Sequence, residues 1–260
     1  MNIPILVVSC DLYKDVWPAF FQSFFKYWSD CPFPIYLVSN NSSYSDSRVL
    51  PLLVGDDVDY SSNLIKAVQS IQEEWLIFWI DDRPPATSVD TAQLVRLIEL
   101  AQEKDAGYLK LIPCHPFALV SEKEEIGEIP KNSRYLVSMT VALWKKSTLL
   151  KVLEAGESAW DIEKKGGVKR ARNLNDKFYA LPIKSLNPYP IIDIHMIAKG
   201  KLRWQGIKFL RQQGLLHHLY NRSRVTSQQY VYDILFNLVL SVNSHFRFKL
   251  LQLVNKFTKA

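Results

Sequence analysis

Apolar residues in this chain gather into short unbroken runs, and each run is followed by a segment whose apolar positions recur at helical spacing. Ile3 to Cys10 reads as a first buried strand ending at Asp11. Val16 to Trp28, rich in Phe and Trp with Pro18 near its first turn, predicts a helix packed on that strand. Ile35 to Ser39 predicts a second strand, stopped by Asn40-Asn41-Ser42-Ser43, and Leu52 to Val54 a short third. Ser61 or Ser62 offers an N-cap for a helix with Leu64, Val68 and Ile71 on one stripe. Trp75 to Ile80 is the strongest strand signal, closed by Asp81-Asp82 before Pro84. Ser88 or Asp90 then opens a helix with Leu94, Leu97, Ile98 and Ala101 inward, leading to a strand over Tyr108 to Ile112.

This alternation predicts an α/β fold, a mostly parallel central sheet flanked by helices. Parallel strands with crossover helices bring their carboxyl ends to one edge, so Asp11, Asn40, Asp81 and Asp82 are expected on the same edge. Beyond Pro116 the alternation weakens. Glu122 to Glu125 reads as a solvated loop, Tyr135 to Leu143 as a strand, Lys146 to Glu154 as a helix, 166–175 as a mobile glycine-bearing loop, and Ile191 to Ile197 as a last strand. Residues 1–198 are expected to form this domain and 199–260 a helical, basic extension.

Charge sharpens that division. The net charge of +6 over 260 residues is uneven: from Lys199 onward there are 11 Lys or Arg and one acid, Asp233, whereas 1–198 carries 21 basic and 25 acidic residues. A tail of +10 favours a polyanionic partner. Its basic residues are interleaved with aliphatic runs, and no zinc-finger, RRM or KH signature accompanies them, so an anionic membrane surface is expected rather than nucleic acid. The charge-free run from Ile234 to Phe246 is too short and too polar to cross a bilayer. Leu250, Leu253, Val254 and Phe257 repeat at amphipathic spacing, suiting an interfacial helix or one packed back on the domain. Cys10, Cys31 and Cys114 show no metal or redox spacing and read as buried thiols of a reducing compartment. With no signal-peptide pattern at the N-terminus, a cytoplasmic location is expected.

Acid at the end of a buried strand suggests chemistry. Ligands of open α/β sheets bind at the carboxyl ends of the strands. Asp81 and Asp82 have the hard oxygen ligands that Mn²⁺ or Mg²⁺ takes when it bridges phosphates, although Asp-Asp before Pro-Pro also suits an ordinary turn. Ser9, Cys10 and Asp11, with Ser39 and Asn40, stand where a nucleotide's base and ribose would lie. No P-loop and no G-x-G-x-x-G is present. Downstream, Trp160-Asp161-Ile162-Glu163 puts an indole and a carboxylate on one helical face, suited to stacking an acceptor sugar and deprotonating its hydroxyl. The plainer reading has Trp160 in the core and Glu163 solvated. The histidines form no zinc or Ser-His-Asp pattern.

Four pieces taken in order resemble the GT-A-type glycosyltransferases of bacterial surface polysaccharide biosynthesis: Ile5 to Asp11, Asp57 to Leu64, Phe78 to Asp82, and Ser138 to Trp144 followed by Glu157 to Glu163. The resemblance covers roughly residues 1–200. It implies a GT-A-like (Rossmann-like) fold and transfer of a sugar from a nucleotide-sugar donor to a glycan or lipid-linked acceptor. It implies Asp81 and Asp82 on a divalent cation; Ser9, Cys10, Asp11, Ser39, Asn40, Asn63 and Asp81 on the donor; Trp160 on the acceptor; and Glu163 or Asp161 as base. Arg83-Pro84-Pro85 departs from the apolar residues expected after the acidic pair. A nucleotidyltransferase, or a catalytically silent module of the same fold, is the alternative.

Overall fold

A computed structural model describes residues 2–112, 125–133, 135–182, 189–226 and 231. The chain forms two compact units, Met1–Ile194 and His195–Ala260. In the first, strands β1 (Ile5–Val8), β2 (Ile35–Ser39), β3 (Val49–Leu53), β4 (Trp75–Ile80), β5 (Ala106–Lys110), β6 (Gly127–Glu128), β7 (Ala142–Lys145) and β8 (Lys177–Ala180) form one sheet in the order β3-β2-β1-β4-β7-β5-β8-β6. Helices α1 (Trp17–Tyr27), α2 (Tyr60–Ser70), α3 (Thr91–Glu103), α4 (Lys146–Val152), α5 (Ala159–Lys164) and α6 (Gly166–Asn173) cover it. β1, β2, β3 and β4 run parallel, as do β5 and β8; β7 is antiparallel to both β4 and β5, and β6 to β8.

Strand period divides the core in two. Ile5, Val7, Ile77 and Trp79 face one cluster with α1 and α3, whereas Leu6, Val8, Leu76 and Phe78 face the other with α2, α4, α5 and α6. A sheet buried on both faces explains the near-continuous apolar runs of β1 and β4. On the first face, Trp79 packs against Phe20, Phe24 and Trp28 with ring centroids 5.5–6.3 Å apart.

The sequence-based expectations for β1, α1, β2 and β4 hold to within a residue or two, and β3 extends back to Val49. Several others change. Asp59, not Ser61 or Ser62, caps α2, and Asp90 caps α3. β5 begins at Ala106, β8 and β6 carry no expected signal, and Tyr135 to Val141 is not strand. The segment read as a loop over 166–175 is largely α6. Its glycines serve close packing: a Cβ on Gly167 would sit 2.6 Å from Ile162, and Arg170 ties α6 to Glu154 and Glu157. Ile191 to Met196 is not strand either, apart from a single bridge between Pro85 and Asp193.

The second unit opens with a hairpin, β9 (Ile197–Ala198) and β10 (Lys201–Leu202), turning through Lys199 and Gly200, both at positive φ. α7 (Trp204–Gln212) follows, with Gly206 so close to the Met196 backbone that a Cβ there would lie 2.7 Å away. The hairpin puts the unit boundary at Ile194, a few residues before the expected 198. His217 and His218 lie in a 3₁₀ turn with ring centroids 4.0 Å apart. Among the described residues no helix is long and apolar enough to cross a membrane. The expected amphipathic stretch over Leu250 to Phe257 lies outside the described residues.

Candidate active site

β4 delivers the acidic pair. Asp81 N–H bonds Val8 O at 3.4 Å, the Trp79 indole donates to Arg83 O at 2.6 Å, and these contacts hold the turn that follows the strand. Asp81 is 5% exposed. Trp17 Nε1 donates to Ser9 Oγ at 2.7 Å, and that hydroxyl donates to Asp81 Oδ2, so the end of β1 orients the first carboxylate. The segment before α3 is strapped by 190–194: Ala86 N–H bonds Ile192 O and Ile194 N–H bonds Pro84 O. That strap aims Asp193 at Arg83, whose Nε it accepts. Burial alone would lower the Arg83 pKa; the charge and hydrogen bond of Asp193, then the charges of Asp82 and Glu163, outweigh it and raise it.

The ends of β1 and β2 close on one another. Asp11 accepts from the N–H groups of Asn40 (3.0 Å), Asn41 and Ser42 and from Ser42 Oγ (2.9 Å). Burial opposes the charge on Asp11, but the Ser42 hydroxyl and the three N–H groups win and lower its pKa. Asn40 accepts from Asp11 N–H and donates to Gly55 O, both at 3.0 Å. Ser39 is fully buried, with its hydroxyl on Ser42 O. The side chains of Asp11, Ser39 and Asn40, expected on the donor, are thus occupied with fastening three strand ends together. Cys10 stays at the crevice; burial pushes its thiol up, and the charges of Asp81 and Asp57 add to this.

On the other side, α2 and α5 meet. Ser61 N–H bonds Glu157 O at 3.2 Å, Ser61 Oγ donates to Glu154 O and accepts from Glu157 N–H, and Asp59 accepts from Gly156 N–H. These bonds clamp the loop before α5 onto the first turn of α2. Because β7 is antiparallel to β4, with Ala142 opposite Phe78, the segment leading into it lies at the edge where β4 ends. From that segment Ser138 Oγ (2.9 Å) and Met139 N–H (2.6 Å) donate to Glu163 Oε1. Glu163 is therefore half-buried and held, not solvated. Tyr60, first residue of α2, has a buried hydroxyl whose pKa is pushed up by burial and then by the charges of Glu163, Asp82 and Asp81. Asp82 and Glu163 thus act on the same two side chains, Tyr60 and Arg83.

One expected residue goes elsewhere. Asp161 completes a capping box with Ser158 and pairs with Lys165 at 2.7 Å; Lys165 and then Ser158 lower its pKa to about 2, which suits a cap and not a base. Trp160 is 52% exposed rather than in the core, with the Lys164 ammonium 4.1 Å from its ring centroid. Asn63 is 8% exposed; its Nδ2 donates to Asp57 Oδ1 at 2.9 Å, and its buried Oδ1 has no partner among the described residues. Sequence reading singled out neither Tyr60 nor Asp193; only the odd Arg83 hinted at a counter-charge.

Among the described residues no cluster of three or more His, Cys, Asp or Glu side chains could hold an ion alone. A pair of adjacent carboxylates with hard oxygen donors still fits Mg²⁺ or Mn²⁺, which take one or two carboxylates and complete their shell with substrate phosphates and water. Asp82, with Asp81, would hold such an ion.

A parallel sheet with a carboxylate-bearing turn after its central strand, an antiparallel strand inserted beside it and helices on both faces is a GT-A-like fold. No family profile and no curated protein matches the sequence. Solved structures resemble its fold. TarS residues 1–349 of S. aureus in complex with UDP is similar over 95% of this chain and 77% of that one, at 15% identity and a TM-score of 0.50. UDP-glucose pyrophosphorylase complexed with UDP-glucose is similar over 82% of this chain and 99% of that one, at 8% identity and 0.52. This chain covers 42% of the length of a longer TarS chain. At such identities the likeness is one of fold.

Proposed function

We propose that the protein is a glycosyltransferase that moves a sugar from a nucleotide-sugar donor to a glycan or lipid-linked acceptor. The observation that carries this reading is that Glu163, held by Ser138 and Met139 from the segment leading into β7, lies at the sheet edge where β4 ends and Asp82 follows, the two carboxylates acting on the same side chains, Tyr60 and Arg83. One carboxylate follows a buried strand, where a metal-bound diphosphate would lie; the other is held where it can take a proton. That division of labour suits attack of an acceptor oxygen on the anomeric carbon, with departure of a nucleoside diphosphate. In the reaction Glu163 accepts the hydroxyl proton while Ser138 and Met139 N–H keep its carboxylate oriented. Asp82 and Asp81 would hold Mn²⁺ or Mg²⁺, which when bound would offset charge on the leaving diphosphate. Asn63 binds the donor, and Trp160 offers an exposed ring to the acceptor. UDP in one fold neighbour and UDP-glucose in the other make uridine nucleotides the first donors to try.

Calorimetric titration of UDP-glucose and UDP-N-acetylglucosamine with and without Mn²⁺ tests this. Asp82→Asn is expected to abolish Mn²⁺-dependent binding with little change in melting temperature. Unchanged affinity in that variant would remove the metal assignment.

The second reading, a nucleotidyltransferase, is favoured by the fold likeness to UDP-glucose pyrophosphorylase. Product analysis separates the two: that chemistry yields pyrophosphate from UTP and a sugar phosphate, whereas glycosyl transfer releases UDP.

The second unit supplies the surface for an anionic partner. Residues 195–226 hold seven Lys or Arg and no acid, and Lys199, Lys201, Lys208, Arg211 and Arg224 are exposed beside the partly exposed Trp204 and the exposed Tyr220. At about 1 kcal/mol per basic residue near an anionic leaflet, the protein should float with phosphatidylserine vesicles at low ionic strength and detach as salt rises. Flotation that ignores salt would exclude an electrostatic attachment.

A further inference from the structure

The Tyr60 hydroxyl is buried, and among the described residues it has no hydrogen-bond partner. Buried hydroxyls are rarely left so, because each forfeits its bonds to water without replacement. One turn along the same face of α2, Asn63 Oδ1 is also buried without a partner, its amide oriented by the Nδ2 bond to Asp57. Two unmet buried polar atoms at helical spacing mark a place for something the protein itself does not supply.

The chemistry around Tyr60 narrows what that is. The charges acting on the phenol are those of Glu163, Asp82 and Asp81, all carboxylates, and a phenol is protonated at neutral pH, so it can donate. A bare anion entering here would accept from the phenol but be repelled by the carboxylates. An ammonium would suit the carboxylates but has nothing to accept the phenol's proton. A sugar hydroxyl does both: it accepts from Tyr60 and donates to a carboxylate.

We infer that Tyr60 is a specificity-determining residue that donates a hydrogen bond to a hydroxyl of the transferred sugar. This rests on the nucleotide-sugar reading above. It assigns to Tyr60 the preference of the site for a sugar nucleotide over the bare nucleotide. Asn63 Oδ1, an acceptor, serves a donor group of the same ligand.

The test is a binding cycle on the full chain with Mn²⁺, using UDP, UDP-glucose and the UDP-glucose analogues lacking one sugar hydroxyl each. Tyr60→Phe removes one unpartnered oxygen and should melt at or slightly above the wild-type temperature. It should bind UDP as wild type does, yet lose on the order of 10-fold in affinity for UDP-glucose, the usual scale for an unmade buried hydrogen bond. One deoxy analogue should be weakened against wild type and not against Tyr60→Phe, the coupling that identifies the hydroxyl. UDP-glucose binding unchanged in Tyr60→Phe overturns the role of Tyr60 and leaves the nucleotide-sugar reading standing. Wild type that binds neither UDP nor UDP-glucose overturns both. Equal losses for UDP and UDP-glucose would make Tyr60 a structural residue and overturn the inference.

Discussion

Two neighbouring parts of one sheet edge use the same residue types to opposite ends. Where β1 and β2 finish, Asp11, Ser39, Asn40 and Ser42 satisfy one another. Where β4 ends and α2 is clamped to the loop before α5, Glu163 is held by Ser138 and Met139, and Tyr60 and Asn63 end in buried atoms without partners among the described residues. In the first, polarity is consumed by the fold; in the second, on the function proposed above, it is left for a ligand. Short polar side chains at strand ends are therefore poor predictors of contact until their partners are known. The difference also explains why burial coincides with readiness on one side only: a closed network lowers the energy of the chain by itself, whereas an open one does so when something enters.

The largest effect expected from breaking this comparison is at Glu163. Glu163→Gln keeps an oxygen for Ser138 and Met139 N–H but cannot take a proton, so kcat should fall by on the order of 10²–10⁴ with donor affinity nearly unchanged. Steady-state kinetics together with calorimetry check it; wild-type kcat in the variant would mean that the held carboxylate is structural, like Asp11.

Asp11→Ala probes the closed side. It leaves three N–H groups and a hydroxyl without their acceptor, so stability should drop by about 1–3 kcal/mol, read by thermal melting. Donor affinity should stay near wild type. A variant that melts normally but no longer binds donor would place Asp11 in the site and dissolve the contrast.

A smaller effect sharpens the picture on the open side. Asp59 and Asp161 cap α2 and α5, the two helices that carry Tyr60 and Glu163. Their pKa values lie at about 2, below the ordinary 3.8, through the Ser62 hydroxyl and N–H in one case and Lys165 and Ser158 in the other. A depressed carboxylate stabilises the fold above the unfolded-state pKa, and this contribution is lost as pH falls through the folded-state value. Stability should thus decline between about pH 4 and pH 2, and Asp161→Asn should flatten that decline in acid titrations followed by circular dichroism. An unchanged acid profile in the variant would show that the α5 cap contributes nothing to holding Glu163 in place.

Much of this molecule is local and could be read along the chain. β1, β2 and β4 are apolar runs long enough for a doubly covered strand, α1 and α3 carry an apolar stripe with a start signal, and Asp81-Asp82 follows the strongest strand, because period and capping act over a few residues. The meeting of Glu163 with Asp82 is of another kind. It depends on β7 inserting antiparallel beside β4, which joins residues 64 to 70 positions apart, and on the Ser61 clamp between α2 and the loop before α5, which joins residues 93 to 96 apart. The same holds for Arg83, whose partner Asp193 lies in a segment with no strand signal that survives folding. Asp11 and Glu163 are alike as sequence, each an acid beside a predicted element. Only the packed chain decides that Asp11 is closed in by the donors at the end of β2 and that Glu163 is held by Ser138 and Met139 at the edge where β4 ends, because hydrogen-bond partners are allotted by distance in space and not by distance along the chain.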